Sequence, residues 1–96
     1  MTESRMIRCK VQPGIFREEY IVSIQTIEGG TIKPFEFVTD ARSVEVNGTP
    51  AAGRELDGRV RVWLVESFGD HLSILVPASS GSDPRVLSIP PQAAAA

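Results

Sequence analysis

The stretch Arg59-Val-Arg-Val-Trp-Leu-Val-Glu-Ser-Phe-Gly-Asp-His-Leu-Ser-Ile-Leu-Val76 decides the fold, because its alternation and its turn chemistry both demand a β-hairpin. Side chains alternate along a strand, so Val60, Val62 and Leu64 share one face while Arg59, Arg61, Trp63 and Val65 share the other. On the return, Leu72, Ile74 and Val76 oppose His71, Ser73 and Leu75. A three-residue loop Ser67-Phe68-Gly69, with Gly69 left-handed in a G1 bulge, pairs Glu66 with Asp70 and Leu64 with Leu72. All six aliphatics then fall on one face. A four-residue loop would set Leu64 opposite Ser73 and split that set, a one-residue slip that burial penalises.

Outward from this hairpin the chain keeps the same grammar. Ile7, Cys9 and Val11 alternate with Met6, Arg8 and Lys10 in a strand that Gln12-Pro13-Gly14 ends, after which Ile15 and Phe16 are expected to pack as the chain crosses the core. A second hairpin runs from Tyr20 to Thr39 around Glu28-Gly29-Gly30-Thr31, whose two glycines suit a type I′ turn. Counting outward pairs Ile24 with Phe35, Val22 with Phe37, Ser23 with Glu36 and Gln25 with Pro34. Pro34 has no amide to donate, which places this hairpin at an exposed edge. Asp40-Ala41-Arg42 makes a corner into a short strand at Val44 and Val46, and from Asn47 to Gly58 the pattern disappears into a surface loop. The run from Pro77 to Pro84 reads as a mobile loop, Arg85 to Ile89 as a last strand, and the alanines after Gln92 as a disordered tail.

Ninety-six residues with Val and Ile prominent and frequent Gly and Pro make one all-β domain, taken as residues 5–90 between flexible termini at 1–4 and 91–96. The expected architecture is a small six-stranded antiparallel meander closing into an SH3-like barrel or a two-layer sandwich, which hides strand edges in a short chain. This is an architectural likeness only, and small barrels host many functions.

A formal net charge of −2 gives no whole-molecule field to attract nucleic acid or an anionic membrane. No window is long and apolar enough to span a bilayer, and the chain is read as soluble and cytoplasmic. One cysteine and one histidine cannot furnish a zinc site, and Glu28-Gly29-Gly30 sits in a hairpin turn instead of a phosphate loop, so no metal or cofactor is expected. Cys9, alternating with Ile7 and Val11, reads as a small buried hydrophobe in a reducing compartment. His71 lies near Asp70, Ser67 and Ser73, but adjacent strand residues point to opposite faces, which leaves Asp70 badly placed to orient it. Catalysis is not expected.

The outer face of the 59–76 hairpin carries the functional expectation. Its register sets Arg61 beside Leu75, Trp63 beside Ser73 and Val65 beside His71, a stripe of Trp63, Arg61, Arg59, Val65, His71 and Leu75 that is too apolar for ordinary solvent face. The competing structural reading covers Trp63 with the chain's own long loop or last strand. The leading functional reading is a non-enzymatic protein-interaction module, with a homodimer or a larger protein as partner. One alternative is a single-stranded nucleic-acid platform built on Arg59, Arg61, Trp63 and His71, which the acidic neighbours Glu55, Asp57 and Glu66 oppose. A second is an enzyme whose site is completed by a second subunit.

Overall fold

The computed structural model describes residues 3–76 and 85–94, and the expected loop 77–84 and the last two alanines lie outside them. Seven antiparallel strands are present: β1 (Glu3–Pro13), β2 (Glu19–Glu28), β3 (Thr31–Asp40), β4 (Val44–Val46), β5 (Leu56–Ser67), β6 (Leu72–Val76) and β7 (Arg85–Ile89). Short 3-10 turns occupy Ala41–Ser43 and Pro91–Ala94, and there is no α-helix among the described residues. β1 begins at Glu3, and beyond Ile89 the side chain of Ala93 packs against the core.

Six strands run β3-β2-β1-β5-β6-β7 in one strongly curled sheet, a half-barrel, and β4 pairs with β5 off that path. The count is thus one more than the six expected, and the order is not a single meander. Two three-stranded meanders, β1-β2-β3 and β5-β6-β7, are joined through a long β1–β5 ladder from Glu3/Leu64 to Val11/Leu56. On its other side β5 is flanked first by β4, with Val44 opposite Val60, and then by β6. Sequence order alone favours neighbours that are consecutive. Here β1 is central because both of its edges are used, and the half-buried connection through β4 makes that possible.

The curl brings β7 back against β2, and the guanidinium of Arg85 lies 5.1 Å from the Phe35 ring centroid. Inside it, Ile7, Cys9, Val11, Val22, Ile24, Val60, Val62, Ile74, Val76 and Ile89 form one buried cluster. Each is on the face that alternation assigns, and burying a Val or Ile of this kind contributes about 1.5–3 kcal/mol. The β2–β3 hairpin has the expected register, Ile24 opposite Phe35 and Gln25 opposite Pro34, with Gly29 and Gly30 at φ 58° and 81°. Pro34 sits on the free edge strand β3, where its missing amide interrupts no ladder.

The β5–β6 register departs from expectation. Trp63 faces Leu75 and Leu64 faces Ile74, so Trp63 is not opposite Ser73, nor Arg61 opposite Leu75, nor Val65 opposite His71. Ser67 pairs with Leu72 and closes a four-residue loop, Phe68 to His71, in which the Phe68 amide donates to the His71 carbonyl at 2.9 Å. Gly69 has no positive φ. A four-residue loop alone would have flipped the faces, but the ladder shifts again between Leu64 and Glu66, where Val65 forms a bulge. Two odd displacements sum to an even one, and the six aliphatics keep their common face.

Ile15 and Phe16 do not enter the core. They are 89% and 70% exposed, on a turn closed by the Gly14 amide donating to the Glu19 carbonyl at 3.0 Å. That closure lets β1 pass directly into β2, so no chain crosses the barrel at this point. The loop after β4 is also shorter than expected, because β5 begins at Leu56 and Arg54 donates back to the Ala51 carbonyl at 2.9 Å.

Candidate functional site

The outer face of the sheet is assembled by register, in rows about 4.8 Å apart from strand to strand. One row runs Ser4, Trp63, Leu75, Val86 across β1, β5, β6 and β7. The next pairs Met6 with Arg61, and the one after it runs Arg8, Arg59, Glu45 across β1, β5 and β4. Lys10 and Asp57 follow, joined as an ion pair.

The first row is apolar. Trp63 and Leu75 are half-buried by one another and their neighbours, and neither belongs to the interior cluster. Val86 is 60% exposed and Val65, at the bulge, 50% exposed. The second and third rows carry three arginines. Arg8, Arg59 and Arg61 are all exposed, and among the described residues none of them is in a salt bridge. Arg8 directly faces Arg59, and like charges so placed destabilise a ladder. Glu45 offsets this from the far side of Arg59 only.

Of the six residues singled out by sequence, Trp63 and Leu75 are direct partners, Arg61 and Arg59 continue along the same face, and Val65 stands on the bulge beside them. His71 does not join the row. It lies in the hairpin loop, stacked on Phe68 with ring centroids 4.5 Å apart, with its Nδ1 2.7 Å from Asp70 Oδ1. The expectation that Asp70 cannot orient His71 is corrected by this contact, since in a loop the strict two-face alternation no longer applies. That hydrogen bond to His71 is the main reason the Asp70 carboxyl is held below its ordinary range. Arg8 and Val86 were missed. Alternation marks Arg8 as outward, but only the β1–β5 pairing sets it against Arg59.

Comparison with protein-family models, with curated proteins and with solved structures finds no match.

Beside the arginines, an open depression of about 600 Å³ is lined by Arg8, Cys9, Glu45, Asp57, Gly58 and Arg59, together with Val46 and Asn47. Its thiol is not a nucleophile at neutral pH: burial, reinforced by the Asp57 charge, pushes Cys9 up to about 12. Among the described residues no cluster of three His, Cys, Asp or Glu side chains is arranged to hold a metal ion. What the face offers is contact area with fixed charge at one border.

Proposed function

We propose that this chain is a non-enzymatic association module that binds protein, including further copies of itself, through the outer face of β5, β6 and β7. One observation carries the reading: Trp63 and Leu75 pair on the face opposite the core, and exposed Val86 and Val65 extend the apolar area on both sides. Tryptophan and arginine dominate binding energy at protein contacts, and a large indole turned away from a core gains little for the isolated fold. Low net charge and aliphatic neighbours favour a protein partner.

The test compares wild type with Trp63→Ala and Val86→Glu by analytical ultracentrifugation and by binding of purified partner candidates, with thermal unfolding measured in parallel. Association should weaken at least about tenfold, which is about 1.4 kcal/mol, while the unfolding midpoint changes little. Unchanged association with a large loss of stability in Trp63→Ala would make the indole a structural residue and end the proposal.

A second reading is favoured by Arg8, Arg59 and Arg61 next to Trp63, which is the composition of a stacking and phosphate-contact platform for single strands. It requires binding to mixed-sequence single-stranded DNA or RNA that weakens with salt and whose salt slope falls in Arg59→Ala. No salt-dependent binding would remove it.

A further inference from the structure

The molecule has a second exposed apolar feature, at the opposite end from the Trp63 row. The turn between β1 and β2 presents Ile15 and Phe16, 89% and 70% exposed, the two highest exposures among the large apolar side chains of the described residues. This turn is well tied down. Besides the Gly14–Glu19 bond, the Glu19 amide donates to the Phe16 carbonyl at 3.2 Å and the Ala41 amide to the Glu18 carbonyl at 2.8 Å. A Cβ at Gly14 would lie 2.6 Å from the Glu19 carbonyl oxygen, so glycine is what permits the close return of the chain. The tip is therefore held in shape before any contact, which lowers the entropy lost on docking.

Its chemistry mirrors that of the outer face. Next to the two apolar side chains stand Glu18 and Glu19 against Arg17, and the nearby Arg42 is neutralised by its ion pair with Asp40, which leaves the tip acidic, whereas the apolar row of the sheet is bordered by Arg61, Arg59 and Arg8 with no salt-bridge partner among the described residues. The two features cannot meet within one chain. Trp63 pairs with Ser4 near the start of β1, and the tip follows Pro13 at its end. Those ends are separated by about 30 Å of extended strand, most of the molecule's 37 Å longest dimension.

Resting on the reading of the outer face as a protein contact, we propose that the Ile15–Phe16 tip of one copy docks on the Trp63–Leu75–Val86 row of the next, with Glu18 and Glu19 meeting Arg59 and Arg61. Donor and acceptor surfaces differ, so the contact is heterologous and copies join head to tail. Such a contact does not saturate at a dimer unless the chain of copies closes into a ring.

The full-length chain is tested by sedimentation velocity over a concentration series, with Phe16→Asp disabling the tip and Val86→Glu disabling the face. Both positions are exposed, and thermal unfolding verifies that each variant is folded. Wild type should grow beyond two chains with concentration, and each variant alone should associate at least about tenfold more weakly. Mixed, the two variants should form a pair that stops at two chains, because the intact face of one receives the intact tip of the other. If Phe16→Asp associates as wild type while Trp63→Ala and Val86→Glu do not, head-to-tail docking is overturned and the outer face stands as an interface of another kind. If all three behave as wild type, the outer-face reading falls as well. A wild type that stays monomeric overturns the docking of copies and leaves the face to be judged on partner binding.

Discussion

Trp63 on β5 lies directly across from Leu75 on β6, on the face of the sheet turned away from the core. The pairing exists because the four-residue loop Phe68–His71 and the Val65 bulge each displace the ladder by an odd number of residues, and together they restore parity. An indole and an isobutyl group are thereby set side by side at the water boundary, with Val86 beyond them.

The chain has one tryptophan, so this pair can be followed by fluorescence. In dilute monomer, emission should be that of a half-exposed indole and acrylamide should quench it readily. Raising the concentration, or adding a protein that docks on this face, should shift emission to the blue and reduce quenching. Quenching that is weak at every concentration would mean the indole is already covered.

Gly58 is held between strands by a close approach. A Cβ there would meet the Glu45 carbonyl oxygen at 2.6 Å and Val11 Cγ2 at 2.9 Å, and both neighbours belong to packed strands. Gly58→Ala should destabilise the fold by about 1–3 kcal/mol. Gly69, with open space around its Cα, makes the control, and Gly69→Ala should stay within about 0.5 kcal/mol. Urea unfolding of both variants checks the contrast.

Cys9 couples the core to alkaline pH. Its thiol rises from 9.0 to about 12 on folding, mainly because burial disfavours the thiolate. Below the lower value both states keep the proton and nothing changes. Between about 9 and about 12 the unfolded chain releases its proton while the folded chain retains it, so stability should fall as pH rises through that window. Cys9→Ala should lack this slope. At pH 8, native protein should also react with iodoacetamide at least about tenfold more slowly than urea-unfolded protein.

Asp70 gives the opposite sign. Its carboxyl is lowered first by the hydrogen bond with His71, so the contact stabilises above the ordinary carboxylate range and is lost as pH falls through the lowered value. The carboxyl carbon of Asp70, followed by NMR, should titrate below the ordinary aspartate range. His71→Phe, which keeps a ring against Phe68, should move that midpoint back up. An unchanged midpoint would show that the Nδ1–Oδ1 contact of 2.7 Å is not maintained in solution.

Much of the fold is legible residue by residue. Alternation assigns Ile7, Cys9, Val11, Val60, Val62, Ile74 and Val76 to the interior, and all are buried. The Gly29-Gly30 turn fixes the β2–β3 register from Ile24/Phe35 outward, because two positive φ values leave few ways to connect the strands. The outward position of Trp63, Arg59 and Arg61 follows from the same parity. The site was less legible. Trp63/Leu75 required a bulge at Val65, and no residue there is one that bulges demand; Arg8/Arg59 required a ladder between strands separated by 42 residues, 14–55. Ile15 and Phe16 misled for a related reason: apolar character gives a preference for burial but does not say whether the local chain path leads inward.

By itself, then, the sequence determined which side of each strand meets water, since a two-residue repeat is a property of every extended backbone and burial enforces it without reference to partners. The tertiary structure decided which strands became neighbours, and with that the company of each outward residue. It joined β1 to β5, set one arginine against another, bordered them with tryptophan and sent the β1–β2 turn into solvent at the far end. Those outcomes depend on closing a curled sheet around one small core, a condition on the whole chain that no local stretch contains.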